Sequence, residues 1–254
     1  MVSLEGFTDN EFHISTHPGS EPNFLHDDST SNVISVVIDT VMFSSSVITL
    51  LDIGVENVIA VKETNDLISY SDDMLIGGDT RELSDGETVD FSNSPQSIYG
   101  AIGVLDSTPE TVALSSNNGA VACERLRELS QKYQYDNTII LGSTLNVSAV
   151  TTFLQDQLEQ SDNPLKIVFY CAGHNNIPTF EDTITAVLLY NKLFDTGVTA
   201  NYGDIIRMYL ETFRYSDEAW WLEENVSHMA QVDSSDCLPI STNKSNVNFS
   251  EHTW

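Results

Sequence analysis

Five short apolar runs recur along the chain, each closed by small, polar or acidic residues, and most lead into a stretch with helical spacing. The first covers residues 33–38, is nearly continuous in Val and Ile, and ends at Asp39. Such a run predicts a strand buried on both faces. Residues 44–53 then repeat their apolar positions at helical spacing and stop at Gly54, and residues 58–61 form a second run. Strand, helix and strand in that order predict a βαβ unit with a right-handed crossover. Residues 111–114, 138–141 and 165–170 are further strand candidates, followed by helices expected over 120–132, over 148–160 and from residue 181. Alternation of this kind predicts the α/β class: a three-layer α/β/α fold on a mostly parallel sheet, with two related βα halves as one possible origin.

The 254 residues are enough to bury a sizeable core. Residues 1–32 are polar and broken by Pro18, Gly19 and Pro22, and read as a flexible N-terminal arm. The folded domain is expected over 33–240, and residues 241–254 read as a polar, frayed tail. Residues 62–110 are rich in Asp, Ser and Gly and read as short elements joined by loops. Residues 201–230 predict an amphipathic helix or helix pair carrying Ile205, Ile206, Tyr209, Leu210, Phe213, Trp220, Trp221 and Leu222, packed on the core.

Thirty-eight acidic residues stand against ten basic ones, a formal net charge of −28. At low ionic strength such a surface repels itself. At about 1 M salt the Debye length falls to roughly 3 Å and the repulsion is screened. The acids are spread along the chain rather than gathered in one tail, so the charge reads as halophilic adaptation. A generic acidic protein with a basic partner is the alternative. No basic stripe exists to displace the counterions of nucleic acid. No apolar run approaches the roughly 20 residues of a spanning helix, and no signal peptide opens the chain, so no membrane partner and a cytoplasmic location are expected. Cys123, Cys171 and Cys237 are too few and too widely spaced for a disulfide framework or a zinc site.

Ligands of an open α/β sheet bind outside the carboxyl ends of its strands. Four predicted strands end in loops of that kind: Asp39 with Ser44-Ser45-Ser46, Ser115 to Gly119, Gly142 to Asn146, and Cys171 to Asp182. Helix N-termini bind anions, and Ser, Asn and Gly add donors and close backbone approach. Several such ends on one edge would cradle a phosphate or another oxyanion; taken singly, each Ser or Asn is equally an N-cap. Asp39, Glu181 and Asp182 are hard oxygen ligands suited to Mg²⁺. Glu181 and Asp182 also suit a helix start, where Thr179 and Asp182 resemble a capping box. Other phosphatase designs do not fit. Cys171 has Ile177, not Arg, six positions on; Asp39 has Val41, not Asp, two positions on; no Arg-His-Gly triplet and no P-loop occur.

In this order, several of these segments resemble the 2-phosphosulfolactate phosphatase family. They are Val36-Val37-Ile38-Asp39 with Ser44-Ser45-Ser46, Gly78-Asp79-Thr80-Arg81, Asp90-Phe91-Ser92-Asn93-Ser94-Pro95 and Ser116-Asn117-Asn118-Gly119. Gly142 through Val150, Cys171-Ala172-Gly173, Glu181-Asp182-Thr183 and Asp236-Cys237-Leu238-Pro239 follow. The resemblance is to a haloarchaeal-type member. It implies a three-layer α/β/α fold and Mg²⁺-dependent hydrolysis of 2-phosphosulfolactate to sulfolactate and phosphate, a step in coenzyme M biosynthesis. On an enzyme reading, Asp39, Arg81, Asn118 and Glu181 are the candidate catalytic residues, Ser44, Ser45, Asn93, Ser94, Gly119, Ser143, Asn146 and Gly173 the candidate substrate contacts, and Asp39, Glu181 and Asp182 the candidate metal ligands. Met42 and Phe43 stand where the family usually has Arg and Ala, and Met cannot replace the bidentate clamp of an Arg.

Two readings follow. One is a phosphatase acting on a small anionic phosphoester. The other is a non-catalytic, anion-binding or regulatory relative on the same scaffold. A homodimer through an apolar patch of the 205–222 region is compatible with both.

Overall fold

The computed structural model describes residues 10–16, 32–80, 82–84, 86–212, 220–241 and 247–253. Among the described residues, ten strands form one sheet, covered by helices on both faces, in a three-layer α/β/α arrangement. The strands are β1 (Glu11–Ser15), β2 (Asn32–Ile38), β3 (Asn57–Val61), β4 (Leu75–Gly78), β5 (Phe91–Ser92), β6 (Thr111–Ser115), β7 (Asn137–Gly142), β8 (Leu165–Cys171), β9 (Pro239–Ser241) and β10 (Asn248–Glu251). The α-helices are α1 (Phe43–Asp52), α2 (Pro95–Ile102), α3 (Gly119–Tyr133), α4 (Val147–Gln160), α5 (Phe180–Leu193), α6 (Tyr202–Thr212) and α7 (Trp220–Met229).

The strand order is β1-β8-β2-β7-β9-β10-β3-β6-β4-β5. β1, β8, β2 and β7 form one parallel block, and β3, β6, β4 and β5 form another. The pairings β7–β9, β9–β10 and β10–β3 are antiparallel and join the blocks. β10 changes partner half-way: Asn248 and Phe249 pair with β3, Ser250 and Glu251 with β9. The expected βαβ unit from residue 33 to 61 is therefore not formed. β7, β9 and β10 lie between β2 and β3, so α1 carries the chain from one block to the other.

Alternation along β2 explains its double burial. Ile34, Val36 and Ile38 join the core under α4 and α5, while Val33 and Val37 face the core around α1 and α3. Between them Ser35 donates to Asn137 Oδ1 at 2.9 Å, which satisfies its buried hydroxyl. The second block packs its outer face through Val61, Ile76 and Ala113 on Leu67, Leu83 and Val89. A smaller cluster of Ile206, Val226 and Met229 holds α6 and α7 against Val41, Met42, Ile184 and Tyr209.

The expected arm and tail both contain sheet strands. β1 lies within residues 1–32 and pairs with β8 at the sheet edge, and β10 lies within 241–254 in the sheet interior. Phe249 is fully buried, which anchors a four-residue strand that is otherwise polar. Phe213 lies outside the described residues. Among the described residues, no helix is long and apolar enough to cross a membrane.

Candidate active site

Turns leaving strands of both blocks meet around a cavity of about 490 Å³. Asp39 follows β2, Asp79 follows β4, Ser92 to Ser94 close β5, Ser116 to Asn118 follow β6, and His174 and Asn175 follow β8. Gln96 and Ser97 of α2 and Asn225 of α7 complete the polar lining, and Val41 and Met42 form an apolar side.

Carboxylates and amides tie these turns to one another. Asp79 Oδ1 accepts from Asn93 Nδ2 at 2.8 Å, and its Oδ2 accepts the Asn117 N–H at 2.7 Å, linking the ends of β4, β5 and β6. Asn118 Oδ1 accepts the Asn175 N–H at 3.1 Å, linking β6 to β8. Asp182 accepts the Thr40 N–H through one oxygen and the Gly173 N–H through the other, both at 2.9 Å, linking β2 to β8. His174 and Ile177 exchange backbone hydrogen bonds of 2.9 Å around Asn175 and Asn176. Both asparagines are left-handed, at φ 50° and 61°, as a two-residue turn with that handedness requires. Asn is one of the few side chains that adopts this conformation readily.

Asp39 is 2% exposed. Burial, then the carboxylates of Asp182 and Asp79, hold its proton on well above the usual carboxylate range; the Phe43 N–H opposes this, and Glu181 adds a further push upward. Asp182 is pushed up to about 7 by burial and by Glu181, against the two backbone N–H groups it accepts. The site thus gathers carboxyl groups whose joint ionisation is unfavourable without a counter-ion. Among the described residues, no three acidic, His or Cys side chains form a ready-made metal cluster. Mg²⁺, however, is commonly held by one or two carboxylates together with substrate phosphate and water. Asp39 and Asp79 both line the cavity and repel one another, and they fit that mode. Glu181 and Asp182 do not line the cavity.

Of the residues singled out from the sequence, Asp39, Asn93, Ser94 and Asn118 line the cavity. Gly119 packs against Asp39, and Gly173 leads into His174 at φ 65°. Ser44 accepts the Asp39 N–H at 3.1 Å and donates to Val37 O, so it shapes the turn from within. Ser45 donates to Thr40 O and shares a 2.8 Å bond with Ser143. Asn146 accepts the Ser143 N–H and donates to Leu141 O and Cys237 O. Ser44, Ser45, Ser143 and Asn146 are thus engaged inside the fold, and the turn after β7 contributes nothing to the cavity wall. Thr179 sits at the N-cap of α5 without a side-chain cap bond, so the capping box does not form. Arg81 lies outside the described residues.

Asp79, Asn117, His174, Asn175 and Asn225 enter the lining without having been assigned a role from the sequence. Asp79 had a readable signal, an acid directly after an apolar strand. Asn225 had none, because it arrives from a helix far along the chain.

A family model described as 2-phosphosulpholactate phosphatase matches residues 20–244. The chain belongs to the 2-phosphosulfolactate phosphatase family. Its relatives in that family include a protein of Caldanaerobacter subterraneus subsp. tengcongensis, 30% identical over 181 residues, covering 67% of this chain and 66% of the relative. A Thermotoga petrophila protein is 28% identical over 165 residues, covering 63% and 62%, and a Clostridium perfringens protein is 27% identical over 196 residues, covering 71% and 72%. Each bears the name "Probable 2-phosphosulfolactate phosphatase". The chain spans a little under two thirds of the length of the first two.

Proposed function

We propose that this chain is a Mg²⁺-dependent phosphatase of a small anionic phosphoester, with 2-phosphosulfolactate as the substrate suggested by its family. One observation carries the reading: turns from both parallel blocks bring neutral donors around two carboxylates, Asp39 and Asp79, in a single cavity. Asn93, Ser94 and Asn118 supply amide and hydroxyl donors to phosphate oxygens. Asp39 and Asp79 would hold the ion. Mg²⁺, when bound, neutralises phosphate charge and stabilises the charge that develops in the transition state.

In the hydrolysis, a water oxygen bonds to phosphorus and the phosphorus–ester oxygen bond breaks. The water gives up a proton, and the departing alkoxide takes one to leave as an alcohol. Asp39 is the residue we assign to positioning that water, from a floor that excludes bulk solvent. Asp182 holds the turns after β2 and β8 together and so fixes where Asp39 stands. On a protein of net charge −28, we place this chemistry in a cytoplasm of high salt.

The test is phosphate release from 2-phosphosulfolactate in molar KCl, with Mg²⁺ and with a chelator. Release that needs the ion and is lost in Asp39→Asn supports the reading. An inactive wild type, or an Asp39→Asn variant with full activity, removes it.

A further inference from the structure

Asn93 is engaged at one end of its side chain only. Its backbone N–H donates to Gly78 O at 3.0 Å, which pins the residue between the ends of β4 and β5. The residue is 4% exposed and lines the cavity. Nδ2 donates to Asp79 Oδ1 at 2.8 Å. An ionised carboxylate only accepts, so this bond fixes which end of the amide is nitrogen. The other end, Oδ1, is buried, and among the described residues no donor reaches it.

A buried acceptor without a donor costs free energy, and a native fold seldom keeps one without a reason. Of the described side chains with such an atom, Asn93 is the one that lines the cavity. Its neighbours indicate what the oxygen is for. Asp79 sits at the nitrogen end of the same amide, and Asp39 lines the same cavity. Asp79 is held from a second side as well, since its Oδ2 accepts the Asn117 N–H at 2.7 Å. Each of its oxygens keeps a further lone pair. A phosphate oxygen would be repelled by Oδ1, because both are acceptors. Two carboxylates and an amide oxygen are hard ligands, the set that suits Mg²⁺ or Mn²⁺.

We infer that Asn93 Oδ1 is a third protein ligand of the divalent cation, beside Asp39 and Asp79. The inference rests on the metal-dependent phosphoester reading above and deepens it. Asn93 then has two tasks. Nδ2 positions Asp79, and Oδ1 binds the ion without adding another negative charge where carboxyl groups already crowd. The second hydrogen on Nδ2 is left for a phosphate oxygen.

Mn²⁺, which shares the octahedral oxygen preference of Mg²⁺ and is paramagnetic, tests this without turnover. The full chain is synthesised with asparagine carrying ¹³C at its side-chain carbonyl. Electron spin-echo spectra are then recorded in molar KCl at less than one Mn²⁺ per chain. The expected result is the ¹³C coupling of a directly bound amide. In Asn93→Asp that coupling disappears while Mn²⁺ stays bound, because the new carboxylate is an unlabelled oxygen ligand. Three results overturn Asn93 as a ligand and leave the phosphatase reading in place: bound Mn²⁺ without the coupling, a coupling that persists in Asn93→Asp, or an Asn93→Asp variant that binds no Mn²⁺. A wild type that binds no Mn²⁺ overturns the ion-dependent reading with it.

Discussion

Gly119 and Asp39 share one small space: a β-carbon at position 119 would lie 2.6 Å from Asp39 Oδ2. The first residue of α3 is thus fitted to the acid that ends β2, in the other parallel block. The same added atom would press on the Phe43 side chain, so the contact leaves little room for relief.

Gly119→Ala should therefore act on both stability and chemistry. Overpacking at a site this tight costs about 1–3 kcal/mol. Thermal unfolding in molar KCl is expected to show a lowered midpoint, and phosphate release to fall because Asp39 is displaced. A variant with the wild-type midpoint and wild-type rate would mean that Asp39 has freedom the packing does not suggest.

The buried acids predict how stability varies with pH. Asp39 is held well above the ordinary carboxylate range, and Asp182 is pushed up to about 7. The folded state then keeps protons that the unfolded chain releases, so stability falls as pH rises from about 4 to about 7. Asp39 extends that decline for as long as its own proton remains. In chelator and molar KCl, denaturant midpoints should drop across this range, with a shallower drop in Asp39→Asn. Added Mg²⁺ should recover stability at the alkaline end, where Asp39 can ionise and bind it. A midpoint that rises with pH in chelator would mean that these acids are already ionised in the folded protein.

Salt dependence follows from the net charge of −28. At about 0.1 M salt the Debye length is roughly 10 Å, and like charges on one face still interact; at about 1 M it is roughly 3 Å. Circular dichroism should show loss of structure on dialysis to the lower salt and recovery on return to the higher. Equal stability at both would show that the acids are individually neutralised within the fold.

The three cysteines are free and buried. Burial raises the thiols of Cys123 and Cys171, and nearby carboxylates add to it: Asp39 for the first, Asp182 and Glu181 for the second. Cys237 is raised by burial and by Asp52 and Glu251. Only thiolates react quickly with disulfide reagents. Titration at mildly alkaline pH should find no reactive thiol in the native protein and three after unfolding.

Long apolar runs made most of the fold legible. β2, β6, β7 and β8 were readable because strands covered on both faces repeat Val, Ile and Leu. β1 and β10 were not, for opposite reasons. β1 is an edge strand with mixed polar residues, and β10 has only Phe249 to mark it. Their partners are distant in sequence, and pairing of that kind leaves no local pattern. At the site, Asp39 and Asn118 could be read from their positions after apolar runs. Ser45, Ser143 and Asn146 look the same in sequence as cavity donors, and their mutual hydrogen bonds emerge only once the turns are folded. Asp182 carried two candidate meanings, ligand and cap. Its bonds to Thr40 and Gly173 give it a third, as a clasp between strand ends.

The half-and-half pairing of β10 bears on the order in which the molecule can be assembled. Residues 248–251 follow the other described strands, yet they bridge β3, made early, to β9, made late. During translation the two blocks can each collapse, but their facing edges stay open until this segment leaves the ribosome tunnel. An intermediate halted short of it would present unpaired strands at β3 and β9, the kind of edge that recruits other chains. Exposure of these edges to quality control should therefore end only when residues 248–251 have emerged and paired.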